Sequence, residues 1–65
     1  MEPVTDEPQQ LFLGTRIRGL RKACGMTLTD LAQASELTAG YLSQLERNLA
    51  YPSIPALFNI ARSLG

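Results

Sequence analysis

The fold is decided by residues 27–48, which read TLTDLAQASELTAGYLSQLERN. Near the start of this stretch, Thr27 is followed three residues later by Asp30, which is the spacing of an N-terminal capping box. A threonine hydroxyl and a carboxylate at these positions satisfy backbone amides that have no partner inside a helix. The pattern therefore predicts a short helix over 28–35. Its apolar side consists of Leu28, Leu31 and Ala32.

A second helix follows almost at once, predicted over 38–47 with Thr38 as its N-cap and Leu42 and Leu45 facing inward. Asn48 comes next, and asparagine is the non-glycine residue that best tolerates the left-handed conformation of a helix end. Because so few residues separate the two helices, we expect them to cross steeply, with the second pushed outward in helix-turn-helix geometry.

Upstream, apolar residues recur at the three-and-four spacing of one helix face and predict a helix over about 9–24. Its inner face consists of Leu13, Ile17, Leu20 and Cys24. We expect Cys24 to be a small core residue, with redox sensing as the alternative. Gly25 suits the end of this helix. Gly19 marks either a close approach by another backbone or a tolerated defect that costs about 1 kcal/mol relative to alanine.

Downstream, a fourth helix is predicted from its cap at Ser53 to Leu64, with Pro55 in the first turn, where proline is tolerated. Its predicted inner face consists of Leu57, Ile60, Ala61 and Leu64. No segment alternates polar and apolar residues as a half-buried strand does, so the sequence predicts an all-α fold, a compact helical bundle.

Composition narrows the function. The chain has 65 residues, enough for one small domain, and its formal net charge is zero. That zero is an average over two segments: an acidic tail over 1–10, expected to be flexible, carries −3, and the domain over 11–65 carries +3. With no histidine and one cysteine, the common zinc sites and histidine-centred catalysis are unavailable, so no metal, cofactor or enzyme activity is predicted. No long apolar segment or basic leader is present, which favours a cytoplasmic binding module.

The stretch 27–48, extended upstream through Ile17-Arg18-Gly19-Leu20-Arg21 and downstream through Pro52-Ser53 to Leu64-Gly65, resembles the Cro/phage-repressor helix-turn-helix family, also called the lambda-repressor-like or XRE family. The resemblance covers roughly residues 14–65. It implies a DNA-binding domain of five helices, of which this chain would hold four, so we expect a fragment of a longer regulator. The wording of residues 40–48 is similar to the subgroup that carries a C-terminal cupin sensor, which would bind a small-molecule effector.

The candidate DNA-binding residues lie on the predicted third helix and at the helix caps. They are Thr27, Thr38, Ala39, Gly40, Tyr41, Gln44, Arg47 and Asn48. The resemblance places Ala39, Gly40, Tyr41 and Gln44 where relatives meet bases or nearby phosphates. An amide such as that of Gln44 donates and accepts together, as the major-groove edge of adenine requires.

Several of these residues have a structural alternative. Thr27 and Thr38 are first of all caps, Asn48 is first of all an end-cap, and Tyr41 either touches DNA or packs on a neighbouring loop. Arg47 is either a phosphate ligand or a solvated cation at a helix C-terminus.

The resemblance also implies an internal ion pair between Arg21 and Glu46 that joins the first and third helices, of the partly exposed kind that contributes only modestly to stability. Two positions depart from the family pattern. Glu36 stands where the turn usually has glycine, which costs roughly 1 kcal/mol if the residue is left-handed. Leu28 stands where relatives often have a polar, phosphate-binding residue.

These features predict sequence-specific binding of double-stranded operator DNA by the reading head of a transcriptional regulator, with repression as the expected direction. A homodimer would place helix 38–47 of each copy in the major groove of one half-site. The alternative is a helix-turn-helix module for protein–protein contact, such as an antitoxin.

Overall fold

A computed structural model describes the backbone of residues 6–65 and the side chains of residues 13–65. Within that range the chain forms four helices and no strand: α1 (Asp6–Ala23), α2 (Leu28–Ala34), α3 (Ala39–Glu46) and α4 (Ile54–Leu64). The predicted all-α fold is confirmed.

Helix α1 begins at Asp6, earlier than the predicted start near residue 9, so it extends into the segment expected to be a flexible tail. Its first residues are two acids followed by Pro8, types that the first turn of a helix accepts. The rest of the predicted tail, residues 1–5, lies outside the described residues. The other helix boundaries lie within about one residue of those predicted.

The helix boundaries follow from the caps that the sequence supplies. The hydroxyls of Thr27, Thr38 and Ser53 accept hydrogen bonds from the backbone amides three residues further on, at 3.0, 3.1 and 3.2 Å. Two turns end on left-handed non-glycine residues, Glu36 with φ 61° and Asn48 with φ 63°. The sequence identified both positions, and the strain expected at Glu36 is therefore present in the turn between α2 and α3.

The core lies where α2, α3 and one face each of α1 and α4 meet. It consists of Ile17, Leu31, Ala32, Leu42, Leu45 and Ile60. A small polar network lies beside this core, next to the turn. Ser35 is fully buried, and its hydroxyl donates to the Ser63 hydroxyl at 3.3 Å. The Ser35 carbonyl accepts from the Asn59 side-chain amide at 3.4 Å. These contacts fix α4 against the end of α2.

The face that α1 buries differs from the predicted one. Leu20 is 46% exposed and Cys24 is exposed beyond the helix end, so the expectation that both point inward is wrong. The residues that face α3 are Gly14, Ile17 and Arg21, a stripe rotated by roughly 60° from the predicted one at 100° per residue. The apolar pattern failed here because a glycine and an arginine make contacts that hydrophobicity does not register.

Helix α4 is apolar on both sides, and only one side is buried. Ala56 and Ile60 lie in the interior, whereas Leu57 is 38% exposed and Ala61 is exposed, contrary to the predicted inner face. Ile54 and Phe58 lie on the same open side as Leu57 and Ala61, at 84% and 65% exposed. No helix in the described part of the chain is both long and apolar enough to cross a lipid bilayer.

Candidate nucleic-acid interface

Helix α3 presents a polar face to solvent and is held by its other side. Leu42, Leu45 and Glu46 are buried, whereas Gly40, Gln44 and Arg47 are exposed at the i, i+4 and i+7 positions of one face. Helical periodicity predicts four residues on this outer face, these three and Tyr41; the structure exposes the three, whereas Tyr41 is half-buried against the core. Of these, Gln44 and Arg47 have side chains long enough to reach a groove.

The start of α3 is open and carries no acidic residue in its first turn. Thr38 uses its hydroxyl to accept from the Tyr41 amide at 3.1 Å, while Ala39 and Gly40 are exposed at the first two helical positions. The amides of such positions have no acceptor inside the helix, and the helix dipole makes this end attractive to an anion. Their small side chains leave that approach unobstructed.

The start of α2 is electrostatically different. Thr27 forms the full capping box with Asp30, whose carboxylate accepts from the Thr27 amide at 2.9 Å. Hydrogen bonds from Thr27, the backbone amide first, hold the pKa of Asp30 below its ordinary value. The carboxylate therefore stays ionised over the helix start, and a phosphate at Thr27 meets a fixed negative charge. Thr27 is well placed as a cap and less well placed than Thr38 as a phosphate ligand.

Tyr41 is half-buried. Its position is compatible with both of its predicted roles, contact with DNA and packing on a neighbouring loop. Its ring packs against the core, and its hydroxyl oxygen accepts from the Ser53 backbone amide at 3.3 Å, at the cap of α4. This bond fixes the loop between α3 and α4 against α3. The phenolic proton is not used in that bond, so the hydroxyl retains a donor.

Arg21 and Glu46 form the ion pair that the resemblance implied. Arg21 Nε and Nη2 donate to the two carboxylate oxygens of Glu46 at 2.8 and 3.0 Å, and Nη1 donates to the Met26 carbonyl at 2.9 Å. The hydrogen bonds that Arg21 donates to the Glu46 carboxylate raise the pKa of Arg21 above its ordinary value. One guanidinium thus joins α1, α3 and the segment before α2, and it is not available to DNA.

This pair is more buried than expected, because the Arg21 and Glu46 side chains are only 11% and 4% exposed. Removing one partner of a largely buried pair leaves an uncompensated charge and costs on the order of 3 kcal/mol, well above the value for an exposed pair. The expectation of a modest contribution is corrected accordingly.

Asn48, expected to be an end-cap with a possible phosphate bond, directs its side chain toward α1. Its Oδ1 accepts from the Gly14 amide at 2.9 Å, and its Nδ2 donates to Thr15 Oγ1 at 3.2 Å. We call these two hydrogen bonds the α1–α3 junction. The backbones approach so closely there that a Cβ on Gly14 would collide with the Leu45 carbonyl oxygen and lie 2.7 Å from Asn48 Oδ1.

Sequence reasoning missed Gly14 and assigned the possible close approach to Gly19 instead. A Cβ added at Gly19 meets nothing within 4 Å, so that glycine is a tolerated defect. Both are glycines inside the same predicted helix, and the chain contains no signal that distinguishes them. The contact of Arg21 with the Met26 carbonyl was also missed, because it joins a backbone group of a kind that exists at every residue. The contact of Tyr41 with Ser53 agrees with the alternative that Tyr41 packs on a neighbouring loop, although the sequence did not identify the Ser53 amide as its partner.

The cations other than Arg21 are exposed, namely Arg16, Arg18, Lys22, Arg47 and Arg62. Arg62 is partly engaged, since it donates to Asn59 Oδ1 at 3.3 Å and lies 5.8 Å from the centre of the Phe58 ring. Leu28 is half-buried against the core and offers no polar group where relatives often have one. The surface is mildly basic, with its exposed cations distributed over α1, α4 and the end of α3.

Comparison with known proteins agrees with this geometry. The sequence pattern of the family described as helix-turn-helix matches residues 17–65. The chain belongs to the helix-turn-helix family. The match covers the part of α1 from Ile17 onward and all of α2, α3 and α4.

Relatives of this helix-turn-helix chain are regulators of transcription. It is 40% identical over 50 residues to the HTH-type transcriptional regulator DdrOP3 of Deinococcus deserti, a match that covers 77% of this chain and 39% of that protein. It is 36% identical over 55 residues to the immunity repressor protein of Bacillus phage phi105, covering 85% of this chain and 38% of that protein. The chain thus spans less than half the length of these relatives.

Among solved structures, the chain is similar to the clp gene regulator ClgR from Corynebacterium glutamicum, with a TM-score of 0.82 and 39% identity. The match covers 86% of this chain and 60% of the other. Together with the family match, this makes the chain a DNA-binding domain of the kind that transcriptional regulators carry.

Proposed function

We propose that α3 reads the major groove of duplex DNA, with Gln44 as its principal base-reading residue. The observation that carries this proposal is the outer face of α3, where Gln44 stands exposed on a helix that buried contacts hold on the opposite side. Because the helix is held in this way, Gln44 projects from a fixed point of the backbone. Selective hydrogen bonding of its side-chain amide to an adenine edge requires such a fixed geometry.

Phosphate contacts in this proposal come from the open ends of α3. The exposed amides of Ala39 and Gly40, the Thr38 cap and the remaining hydroxyl donor of Tyr41 would meet the backbone at one end, and Arg47 at the other. Thr27 is a less suitable phosphate ligand, because the Asp30 carboxylate already caps the start of α2. These contacts would fix the register of α3 without reading sequence.

At the level of the whole protein we propose a cytoplasmic regulator that represses transcription and binds two half-sites as a homodimer. A repressor among the relatives supports the direction of regulation. The weak charge of the domain supports two linked copies, since joining two modest binding modules raises the overall affinity. An effector-binding domain, of the cupin type that the sequence suggests, remains part of this proposal.

The test is a selection of preferred duplexes from a random library, followed by Kd measurements for wild type, Gln44→Ala and a matched control, Gln33→Ala. Gln33 is an exposed glutamine on α2. We expect Gln44→Ala to lose about tenfold in preference for the selected duplex over one changed at the contacted base pair, since a bidentate base contact carries that order of discrimination. We expect Gln33→Ala to retain the preference.

Equal discrimination by wild type and Gln44→Ala would remove Gln44 from the mechanism. A wild-type protein that prefers no duplex to bulk DNA would refute the proposed function itself.

A second candidate function, contact with another protein, is favoured by one observation. Ile54, Leu57 and Phe58 form an exposed apolar face on α4. Ionic strength separates the two functions, because phosphate-driven binding weakens steeply as salt rises, whereas an apolar protein interface does not.

A further inference from the structure

We propose that Asn48 is a positioning residue, which fixes the end of α3 against α1 and thereby sets the orientation of Gln44, and is not a ligand of DNA phosphate. This inference rests on the proposed function of α3. Its subject is the α1–α3 junction, formed by Asn48 with Gly14 and Thr15.

The junction uses most of what the Asn48 side chain has to offer. Oδ1 accepts from the Gly14 amide at 2.9 Å, and one of the two Nδ2 hydrogens is donated to Thr15 Oγ1 at 3.2 Å. A primary amide has two donor hydrogens and one acceptor oxygen, so a single N–H is left for any other partner. The side chain is turned toward α1 by both bonds.

The backbone of both helices is adapted to this contact. Asn48 has a left-handed φ of 63°, which ends α3 and folds the chain back so that its side chain reaches α1. Gly14 is buried, and its missing Cβ leaves the space that Asn48 Oδ1 and the Leu45 carbonyl occupy. Gly14 within α1 and Asn48 just after α3 are thus both required by their backbone geometry for this one contact.

The junction supplies a second fixed point for α3. The first is the ion pair of Arg21 with Glu46, seven residues further along α1. Seven residues of helix extend about 10 Å, so the two attachments are well separated. Together with the core packing of Leu42 and Leu45, the two attachments restrict how far α1 and α3 can rotate relative to each other. Gln44 lies one turn before Asn48 and moves with that end of the helix.

The test compares three variants that separate positioning from phosphate contact. Asn48→Gly keeps a residue that tolerates positive φ and removes both hydrogen bonds. Asn48→Asp keeps an acceptor for Gly14 and a second oxygen that accepts from the Thr15 hydroxyl, but adds a negative charge that a phosphate repels. Thr15→Val removes the other partner of the junction, and Thr15→Ser is its matched control. The Kd for the selected duplex is measured at one ionic strength, with thermal unfolding as the check on folding.

We expect Asn48→Gly to weaken DNA binding about fivefold, the equivalent of one net hydrogen bond, and Asn48→Asp to bind more tightly than Asn48→Gly. Thr15→Val should also weaken binding, Thr15→Ser should match wild type, and the double variant Asn48→Gly/Thr15→Val should bind no more weakly than Asn48→Gly alone. Such non-additivity is the signature of two residues acting through one contact.

The proposal is overturned if Asn48→Asp binds more weakly than Asn48→Gly, which is the result for a direct phosphate ligand. It is also overturned if the losses of Asn48→Gly and Thr15→Val multiply in the double variant, or if Asn48→Gly binds as wild type does. Failure of the proposed function is a separate result: the wild type then prefers no duplex, while the coupling of Asn48 and Thr15 is still measured in the unfolding free energies.

Discussion

At the residue scale, the role of several polar side chains depends on whether they contact a neighbouring helix or face solvent. Asn48 and Arg21 are polar residues of the kind that DNA-binding surfaces use, yet both are directed inward to a neighbouring helix. Gln44, which has no special backbone feature, lies on the exposed face of α3. Residue type therefore identified the candidates, and contacts within the domain show which of them are engaged inside it and which are exposed.

The two glycines of α1 give a direct prediction at this scale. Gly14→Ala should lower the unfolding free energy by about 2 kcal/mol, because the new Cβ collides with the Leu45 carbonyl and the backbones must separate. Gly19→Ala is the matched control and should raise the unfolding free energy by up to about 1 kcal/mol, because nothing lies near it and alanine is the better helix former. Chemical denaturation measures both, and a Gly14→Ala protein as stable as Gly19→Ala would show that α1 does not approach α3 as described.

At the element scale, the helices are short and depend on their ends. Helix α2 has seven residues and α3 has eight, lengths at which an isolated helix is not stable in water. Their stability comes from capping and packing, and not from helix propensity alone. Thr27 and Thr38 cap the two helices, and Leu31 and Leu42 pack them into the core. The same caps determine where an anion can approach, since α3 leaves its first turn without an acid and α2 does not.

The capping box of α2 predicts a pH dependence. The folded-state pKa of Asp30 is lower than that of an unfolded chain, about 3.9, so the stabilisation it provides is fully present above that pH and is lost as pH falls through the folded-state pKa. Asp30→Asn should therefore be less stable than wild type near neutral pH, and the difference should shrink as the pH falls below about 4. Thermal unfolding from neutral to acidic pH measures this.

The matched control is Gln33→Ala, which changes an exposed side chain of the same helix outside the capping box, removes no titratable group and should keep the pH dependence of wild type. A wild-type to Asp30→Asn difference that stays constant across the acid range would contradict the role given to the ionised Asp30 carboxylate.

At the scale of the whole molecule, the domain has a low net positive charge. Residues 11–65 carry six cations and three carboxylates, and the Arg21–Glu46 pair removes one of each from the surface. A net charge of +3 over residues 11–65, spread in this way, is enough for only a few contacts with DNA phosphates. The other surface feature at this scale is the exposed apolar face of α4, which would favour contact with a protein. Salt dependence distinguishes the two functions, because contacts with phosphate weaken as salt rises and apolar contacts do not.

We expect the logarithm of DNA affinity to fall linearly with the logarithm of salt concentration, with a slope of about −2 to −4 for one domain. Arg47→Gln should make that slope shallower by about 1, since a phosphate contact is lost. The matched control is Arg62→Gln, whose guanidinium is engaged with Asn59 and Phe58, and it should leave the slope unchanged. Binding that does not respond to salt would instead favour the protein-contact function.

The sequence by itself determined the local structure of this protein and the family to which it belongs. Caps, left-handed turn residues and the short spacing between α2 and α3 act between neighbours in the chain, so Thr27, Thr38, Ser53 and Asn48 could be assigned their local roles from residue type and position. The outer face of α3 followed from helical periodicity for the same reason.

Only the tertiary structure decided which face of α1 is buried, which glycine is required, and where the Asn48 side chain bonds. Each of these depends on a backbone group or a small residue meeting another helix, as Gly14 meets Leu45 and Asn48. Backbone amides and carbonyls are present at every position, so their contacts leave no mark in residue type or spacing. The hydrophobic pattern identifies apolar surface, whereas the orientation of α1 was determined by a close backbone approach and an ion pair.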